Sequence, residues 1–365
     1  MLTAILCVIF LSVSAQWVGL DAKEVGALKA LLQKPDGGDG GTRVLYDQWL
    51  RLADRALAEA PQPIDTIRTE GLLQGDPRKT STQSALQDMR KMYALALIYR
   101  VTGERRYLDK TAVFLQAWAS FNHPKGDPID DTNLDPAIEA FDMVKEELIA
   151  EQAASIRDWL SLTAQTELTA IYNRPNRATS HNNWHSHRLK IVGEIGYAIG
   201  DTALEGYATR GLMAQIGSNL NPDGSSADFL ARDALHYHVY DLEPLLKLAI
   251  IIRRATGADY YSWQAPSGSS IRRSVDWLLP YLNGEKTHPE FVNSTVEFDR
   301  RRAQNGEAAY KAGTLFDPKN GVATLVLAAS FNSTDHEDPM PLAQQLLGTN
   351  LRYPTWQAVL SGLGR

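Results

Sequence analysis

Ser180-His181-Asn182-Asn183-Trp184-His185-Ser186-His187-Arg188 and Arg232-Asp233-Ala234-Leu235-His236-Tyr237-His238-Val239-Tyr240 bound the stretch around which the rest of the chain is read. Apolar residues recur at three and four from Asn183 to Ile199, with a stop at Gly200, and a longer run from Ala227 to Ala255 is closed by Gly257. Both ends of the stretch therefore read as helix. Pro244 lies inside the second run and is expected to kink or divide it, because proline lacks a backbone donor and crowds the preceding turn. Five of the eight histidines of the protein fall between Ser180 and Tyr240.

Outward from this stretch the same periodicity returns. It marks Asp21 to Leu32, Arg43 to Ala60, Thr82 to Arg100, Arg105 to Phe121, Pro136 to Ala150, Glu151 to Tyr172 and Ala203 to Ile216. Ile271 to Leu282, Val322 to Ala329 and Pro341 to Leu347 follow. Thr102-Gly103-Glu104 is a glycine stop with a restart, the way antiparallel helix pairs are joined. Ile64 to Ser81, with Asp76-Pro77-Arg78-Lys79, reads as a polar connection, and Val292 to Phe298 alternates so weakly that few or no strands are expected. The expected class is all-α, an α/α toroid of antiparallel helix pairs, although periodicity alone does not separate a ring from a solenoid. No Ser/Pro-rich linker or charge block cuts the chain, so residues 16–365 are read as one large domain.

Hydrophobic residues make up 44% and charged residues 22%, the balance of a globular protein rather than a disordered chain or a membrane bundle. A net charge of -6 argues against general nucleic-acid binding, which needs a basic face for the phosphates. The apolar run Leu2 to Val13, followed by Ser14-Ala15, reads as a signal peptide cleaved after Ala15, so a secreted or periplasmic protein is expected. That run is too short to span a bilayer, and no later run is long enough. Cys7 is the only cysteine and lies within it, which leaves the mature chain without thiol chemistry. Asn293-Ser294-Thr295 and Asn332-Ser333-Thr334 would accept glycans in a eukaryotic host. The Gly-rich loop at 35–41 lacks the Lys-Ser/Thr of a P-loop.

If Asn183 starts a helix, Asn183 and His187 share a face and His185 points largely away from both. By the same spacing Arg232, His236 and Tyr240 form one stripe of cation, imidazole and phenol. The bland alternative is that each histidine is a satisfied core residue. The pairs His185/His187 and His236/His238 would chelate a metal on a strand but diverge on a helix, and no His-Glu-x-x-His motif accompanies them. No Gly-x-Ser-x-Gly elbow supports a serine hydrolase.

At these residues the chain resembles the alginate lyase family of polysaccharide lyases. The likeness includes the segment Gly126 to Asp142, then His187-Arg188-Leu189-Lys190-Ile191-Val192-Gly193, and Leu235 to Leu245, and it continues weakly through Phe291-Val292-Asn293-Ser294 and Phe298-Asp299-Arg300. It implies an α/α toroid enzyme that cleaves a 1,4-linked uronic acid polymer by β-elimination without metal or organic cofactor. Asn183 and His187 are carried over as the Asn-His pair that neutralises the C6 carboxylate, with His185 as the rival histidine because Trp184 interrupts the pair. Tyr240 matches the catalytic tyrosine. The family's arginine place holds Asp233, and Arg232 lies one residue before it. Arg78 and Lys79 are expected as cationic lid residues, Trp184 as a sugar-stacking ring, and His236 and Tyr237 as further substrate contacts. The implied partner is an anionic polysaccharide, mannuronan or glucuronan among the candidates, and a monomer is expected. A non-catalytic acidic-polysaccharide-binding toroid and a metal-dependent glycan hydrolase are the competing readings.

Overall fold

The computed structural model describes residues 16–34, 41–331 and 338–348. The signal segment, Cys7, most of the Gly-rich loop and the Asn332 sequon lie outside the described residues. In chain order the helices are α1 (Ala22–Leu32), α2 (Gly41–Ala58), α3 (Pro77–Ala85), α4 (Gln87–Thr102), α5 (Arg105–Phe121), α6 (Pro128–Asp131), α7 (Asp135–Val144) and α8 (Ala150–Thr169). They continue as α9 (Asn183–Ile199), α10 (Thr202–Asn219), α11 (Ala227–Arg232), α12 (Leu235–Thr256), α13 (Ile271–Leu282), α14 (Glu297–Gln304), α15 (Val322–Ala329) and α16 (Met340–Leu347). Among the described residues there is no strand, only the isolated bridges Leu220–Ser226 and Pro289–Leu315.

Two layers follow from which helices are apolar all round. α4 buries every residue from Met92 to Ile98, and α7 every residue from Ala137 to Val144. Such helices have no solvent face and must be surrounded. α2, α4, α7, α9, α12 and α15 pack each on the next as the inner wall, and α5, α8, α10 and α13 back them from outside. α13 shows the outer pattern, with one buried stripe of Ile271, Ser274, Val275, Leu278 and Leu282. This is an α/α toroid. Truncating a fully buried inner side chain such as Leu95 to alanine would cost about 2–5 kcal/mol through lost transfer energy and the cavity left behind.

Glycine sets both the ends and the spacing. Gly103, Gly200 and Gly257 stop α4, α9 and α12 in left-handed conformations, with φ of 74°, 75° and 78°. A Cβ on Gly193 would stand 2.4 Å from Leu248 Cδ1, and one on Gly196 2.9 Å from the Glu205 backbone nitrogen. α9 is thus held closer to α12 and α10 than any side chain would allow.

Three expectations need correction. The run from Ala227 to Ala255 is divided at Asp233, in a left-handed conformation (φ 48°), whereas Pro244 is accommodated inside α12. Arg232 therefore ends α11 and does not share a helical stripe with Tyr240. The connection from Ile64 to Ser81 gives way to helix at Pro77, capped by the Asp76 side chain on the Arg78 nitrogen, so Arg78 and Lys79 are helical. No helix of the described residues is long and apolar enough to cross a membrane.

Candidate active site

α9 and α12 run side by side on the inner wall, and the first turns of both carry the polar side chains. His187 and Lys190 are three apart on α9; Tyr240, Glu243 and Lys247 occupy one face of α12 by the same helical arithmetic. All five line a cavity of about 360 Å³ that is also bordered by Thr132, Asp135 and Glu139 beside and on α7. That volume lies within the usual range of small-ligand sites. The His187 and Tyr240 rings are in contact, with centroids 4.4 Å apart and planes tilted by 44°.

The protonation of His187 follows from its neighbours. Lys190 Nζ donates to Thr132 Oγ1 at 2.5 Å, and Thr132 Oγ1 lies 3.1 Å from His187 Nδ1. An ammonium has no lone pair, so the threonine hydroxyl accepts from it and has its own proton to give to Nδ1. With Nδ1 as the acceptor of that hydroxyl proton, the neutral imidazole carries its own proton on Nε2, on the opposite side of the ring. Burial, reinforced by the Lys190 charge, lowers the His187 pKa to about 3, so the ring is neutral around pH 7. Nε2 is buried and makes no hydrogen bond of ordinary geometry; the Tyr240 backbone is a polar neighbour of the ring.

Tyr240 keeps its proton. Burial, with the negative potential of Glu70, raises its phenol well above the ordinary value. Glu243, one turn on, is pushed up to about 7 by burial, against the pull of Lys190. The cavity floor is ionic and closed on itself. Lys190 is paired with Asp135, and Lys247 lies 3.3 Å from Asp135, 2.7 Å from Glu139 and 2.7 Å from Glu194. A protonated phenol beside a neutral imidazole can hand a proton to a leaving oxygen while a hydrogen bond stabilises charge growing beside it.

The other expected residues separate into groups. His236 stacks on Tyr240 with centroids 6.4 Å apart and planes 7° from parallel, so the His236–Tyr240 half of the expected stripe exists. Tyr237 stands perpendicular to Tyr240, and its hydroxyl accepts from Arg302 at 2.9 Å. Arg232 lies 3.7 Å from the Tyr237 ring centroid and pairs with Asp299 at 2.5 Å, outside the cavity lining. Asn183 is 1% exposed, and its backbone nitrogen (2.8 Å) and its side-chain amide both donate to Asp228. His185 turns to Arg188 Nη1 at 3.4 Å, and burial lowers its pKa to about 4. Trp184 packs on Tyr172 at 5.1 Å. Arg78 pairs with Asp76 and Lys79 donates to the Leu72 carbonyl, so neither borders the His187–Tyr240 cavity.

The histidine pairs diverge, as helical spacing requires. Among the described residues no group of three or more His, Cys, Asp or Glu is arranged to hold a metal ion. Sequence reasoning missed Thr132, Lys190, Glu243 and Arg302. Thr132 and Lys190 stand inside segments that carry the family likeness, but 58 residues separate them and only the fold brings them together. Arg302 reaches Tyr237 from α14 and lies 4.7 Å from the Tyr310 ring centroid.

The family model described as alginate lyase matches residues 39–288. A protein named polysaccharide lyase from Stenotrophomonas maltophilia (strain K279a) is 27% identical over 245 residues, 61% of this chain and 72% of that protein. The fold is shared with an alginate lyase from Bacteroides ovatus (TM-score 0.64, 17% identity, 96% of this chain and 99% of that one). It is shared also with alginate lyase A1-III from Sphingomonas species A1 (TM-score 0.60, 18% identity, 94% and 92%). With the family model spanning most of its length, from α2 to the loop beyond α13, the chain belongs to the alginate lyase family and is a polysaccharide lyase.

Proposed function

We propose that the protein cleaves a 1,4-linked uronic acid polymer by β-elimination, with Tyr240 as the proton-transferring residue and His187 as the group that stabilises the C6 carboxylate. The observation that carries this reading is the close pair of rings, His187 and Tyr240, bordering one cavity, with Thr132 standing between Lys190 and the Nδ1 of His187. Elimination removes the C5 proton and breaks the bond from C4 to O4, leaving a C4–C5 double bond. A phenol that holds its proton can serve both steps on one face of the sugar: its hydroxyl proton goes to O4 as the oxygen receives the C5 proton, and the residue ends as it began. Charge grows on the carboxylate meanwhile, and in this reading the imidazole of His187 is the group that stabilises it.

Asn183 and Arg232 enter this reading as supports. The amide of Asn183 is committed to Asp228 and the guanidinium of Arg232 to Asp299 and Tyr237, so the first fixes the start of α9 and the second the aromatic face behind Tyr240. Other crystals of alginate lyase A1-III contain a tetrasaccharide, which favours an oligosaccharide-sized ligand here as well. Export is part of the proposal: a cut after Ala15 would leave a chain beginning at Gln16, and the backbone nitrogens of Val18 and Gly19 are each held 2.9 Å from Asp142 Oδ2.

The test is near-ultraviolet absorbance during incubation with polymannuronate, polyguluronate and glucuronan, with and without chelator. A chelator-resistant rise on one polymer, from the conjugated unsaturated uronate, is the expected result and names the substrate. Binding without any rise would favour a non-catalytic toroid; a chelator-sensitive cleavage without unsaturated product would favour a metal-dependent hydrolase.

A further inference from the structure

The cavity has a second wall opposite the α9–α12 pair. There Trp49 on α2 and Arg90 and Tyr93 on α4 line the same space as His187 and Tyr240, with Ala323 and Leu327 of α15 beside them. Three cations border this cavity, and two are spent: Lys190 is paired with Asp135, and Lys247 with Asp135, Glu139 and Glu194. Arg90 is the one cavity-lining cation without a carboxylate partner among the described residues. Its guanidinium carbon lies 5.7 Å from the centroid of the Trp49 ring, whose other neighbour is Tyr93 at 5.1 Å and 58°. The Trp49 indole nitrogen is buried and has no hydrogen-bond partner.

We propose that Arg90 and Trp49 form a second uronate subsite, which binds the carboxylate of the sugar next to the one at Tyr240. This rests on the uronan reading above. A uronan carries a carboxylate on every ring, so a chain entering the cavity must place more than one anion. The floor offers little to a second anion, because its lysines are already neutralised, and Glu243 becomes a repelling charge as it ionises. Arg90 alone has unused donors, and a guanidinium matches a carboxylate with two parallel hydrogen bonds. Trp49 presents an apolar ring to the C–H face of a pyranose, while Leu327 and Ala323 complete the apolar side. The pair would thus select an acidic glycan over a neutral one of the same shape, and would act mainly on binding.

The test uses the inactive variant Tyr240→Phe, so that binding is read without turnover. Affinity for an unsubstituted tetrauronate and for its carboxyl-reduced, neutral counterpart is measured by titration calorimetry with Arg90 intact, Arg90→Ala and Arg90→Lys. Arg90 is solvent-exposed and its ring contact is with Trp49 at 5.7 Å, so its substitution leaves the buried core in place. Arg90→Ala is expected to weaken tetrauronate binding about tenfold, the effect of losing one charge-assisted pair, to recover in part with Arg90→Lys, and to leave binding of the neutral sugar unchanged. With Tyr240 present, Arg90→Ala should raise KM by a similar factor with kcat held within about twofold. Unchanged tetrauronate affinity in Arg90→Ala, or equal losses for charged and neutral sugars, would overturn the subsite. Failure of the unsubstituted enzyme to form unsaturated product from any uronan would instead overturn the lyase reading, and the calorimetric comparison would still decide the subsite.

Discussion

His187 and His238 are both buried and neutral, yet they sit in regions of opposite kind. His238 is fully buried with Nδ1 3.0 Å from Ser226 Oγ and Nε2 3.1 Å from the Ser274 carbonyl. Both of its nitrogens are used. His187 has one nitrogen engaged, by Thr132, and its other nitrogen is buried at the cavity without a hydrogen bond of ordinary geometry. Burial lowers the pKa of both, to about 4 and about 3, so the pKa does not tell them apart. Their surroundings do: His238 is enclosed between Ser226 and Ser274, whereas the His187 ring borders the cavity beside Tyr240.

The largest effect that would sharpen this contrast is on turnover. Tyr240→Phe removes only the transferable proton, and kcat should fall about 10²–10⁴-fold while the fold and much of the substrate affinity remain. Activity close to that of the parent would move the role away from Tyr240. His187→Ala should lower kcat by about 10²-fold, far more than His185→Ala, whose ring faces Arg188. The reverse order would make His185 the functional histidine.

Thr132→Val should cost about tenfold to a hundredfold in kcat, and Thr132→Ser should restore most of it, as expected for a group that orients a catalytic ring through its hydroxyl. Nitrogen-15 chemical shifts of His187 give the decisive readout. The parent should show the proton on Nε2, and Thr132→Val should show a mixture of tautomers. An Nδ1–H form in the parent would break the argument.

The pH dependence of binding is a milder effect. Glu243, raised to about 7 by burial, is neutral below that pH and anionic above it. KM for an anionic polymer should therefore rise as pH climbs past 7, and Glu243→Gln should flatten that limb. An unchanged profile in the Gln variant would remove Glu243 from the account.

For His238 the expected signature is stability without catalysis. Its folded pKa of about 4 lies below the ordinary 6.5, so acidification through that window protonates the unfolded chain first and stability falls. The slope approaches about 1.4 kcal/mol per pH unit for one such group. Asp127, raised to about 7, and Glu194, raised to about 8, contribute with the opposite sign, so the comparison to make is the parent against His238→Gln, whose stability should rise with pH by that much less per unit. A fall in kcat without loss of stability would put His238 in the catalytic region after all.

Local signals carried much of the toroid. The start of α9 at Asn183, its end at Gly200 and the stops at Gly103 and Gly257 were legible, because glycine and helical periodicity act over a few residues. The division at Asp233 was not. Apolar periodicity runs through it, and the left-handed residue is not glycine but an aspartate whose carboxylate accepts from the backbone and side chain of Asn293, 60 residues on. The helix arithmetic that joined Arg232 to Tyr240 failed at that break. His187 and Tyr240 were readable as residue types in a motif, whereas the surroundings of the His187 ring depend on Thr132 and Lys190 meeting where the segment before α7 packs on α9. No spacing in the sequence expresses that contact.

The amide of Asn183 belongs to a chain of buried polar groups. Asp228 accepts from Asn183 and from Asn219 at 3.3 Å, Asn219 donates to Asp241 at 2.7 Å, and Ser186 donates to Asp241 at 2.6 Å. These residues belong to α9, α10, α11 and α12, and they add to the close approach at Gly193 and Gly196 and to the Lys247–Glu194 pair. A shift of α9 by one turn along α12 would leave several of these groups unpaired in the interior, at about 1–3 kcal/mol each. The network therefore works as a vernier: it permits one longitudinal setting of the two helices, and the 4.4 Å between His187 and Tyr240 is the reading at that setting.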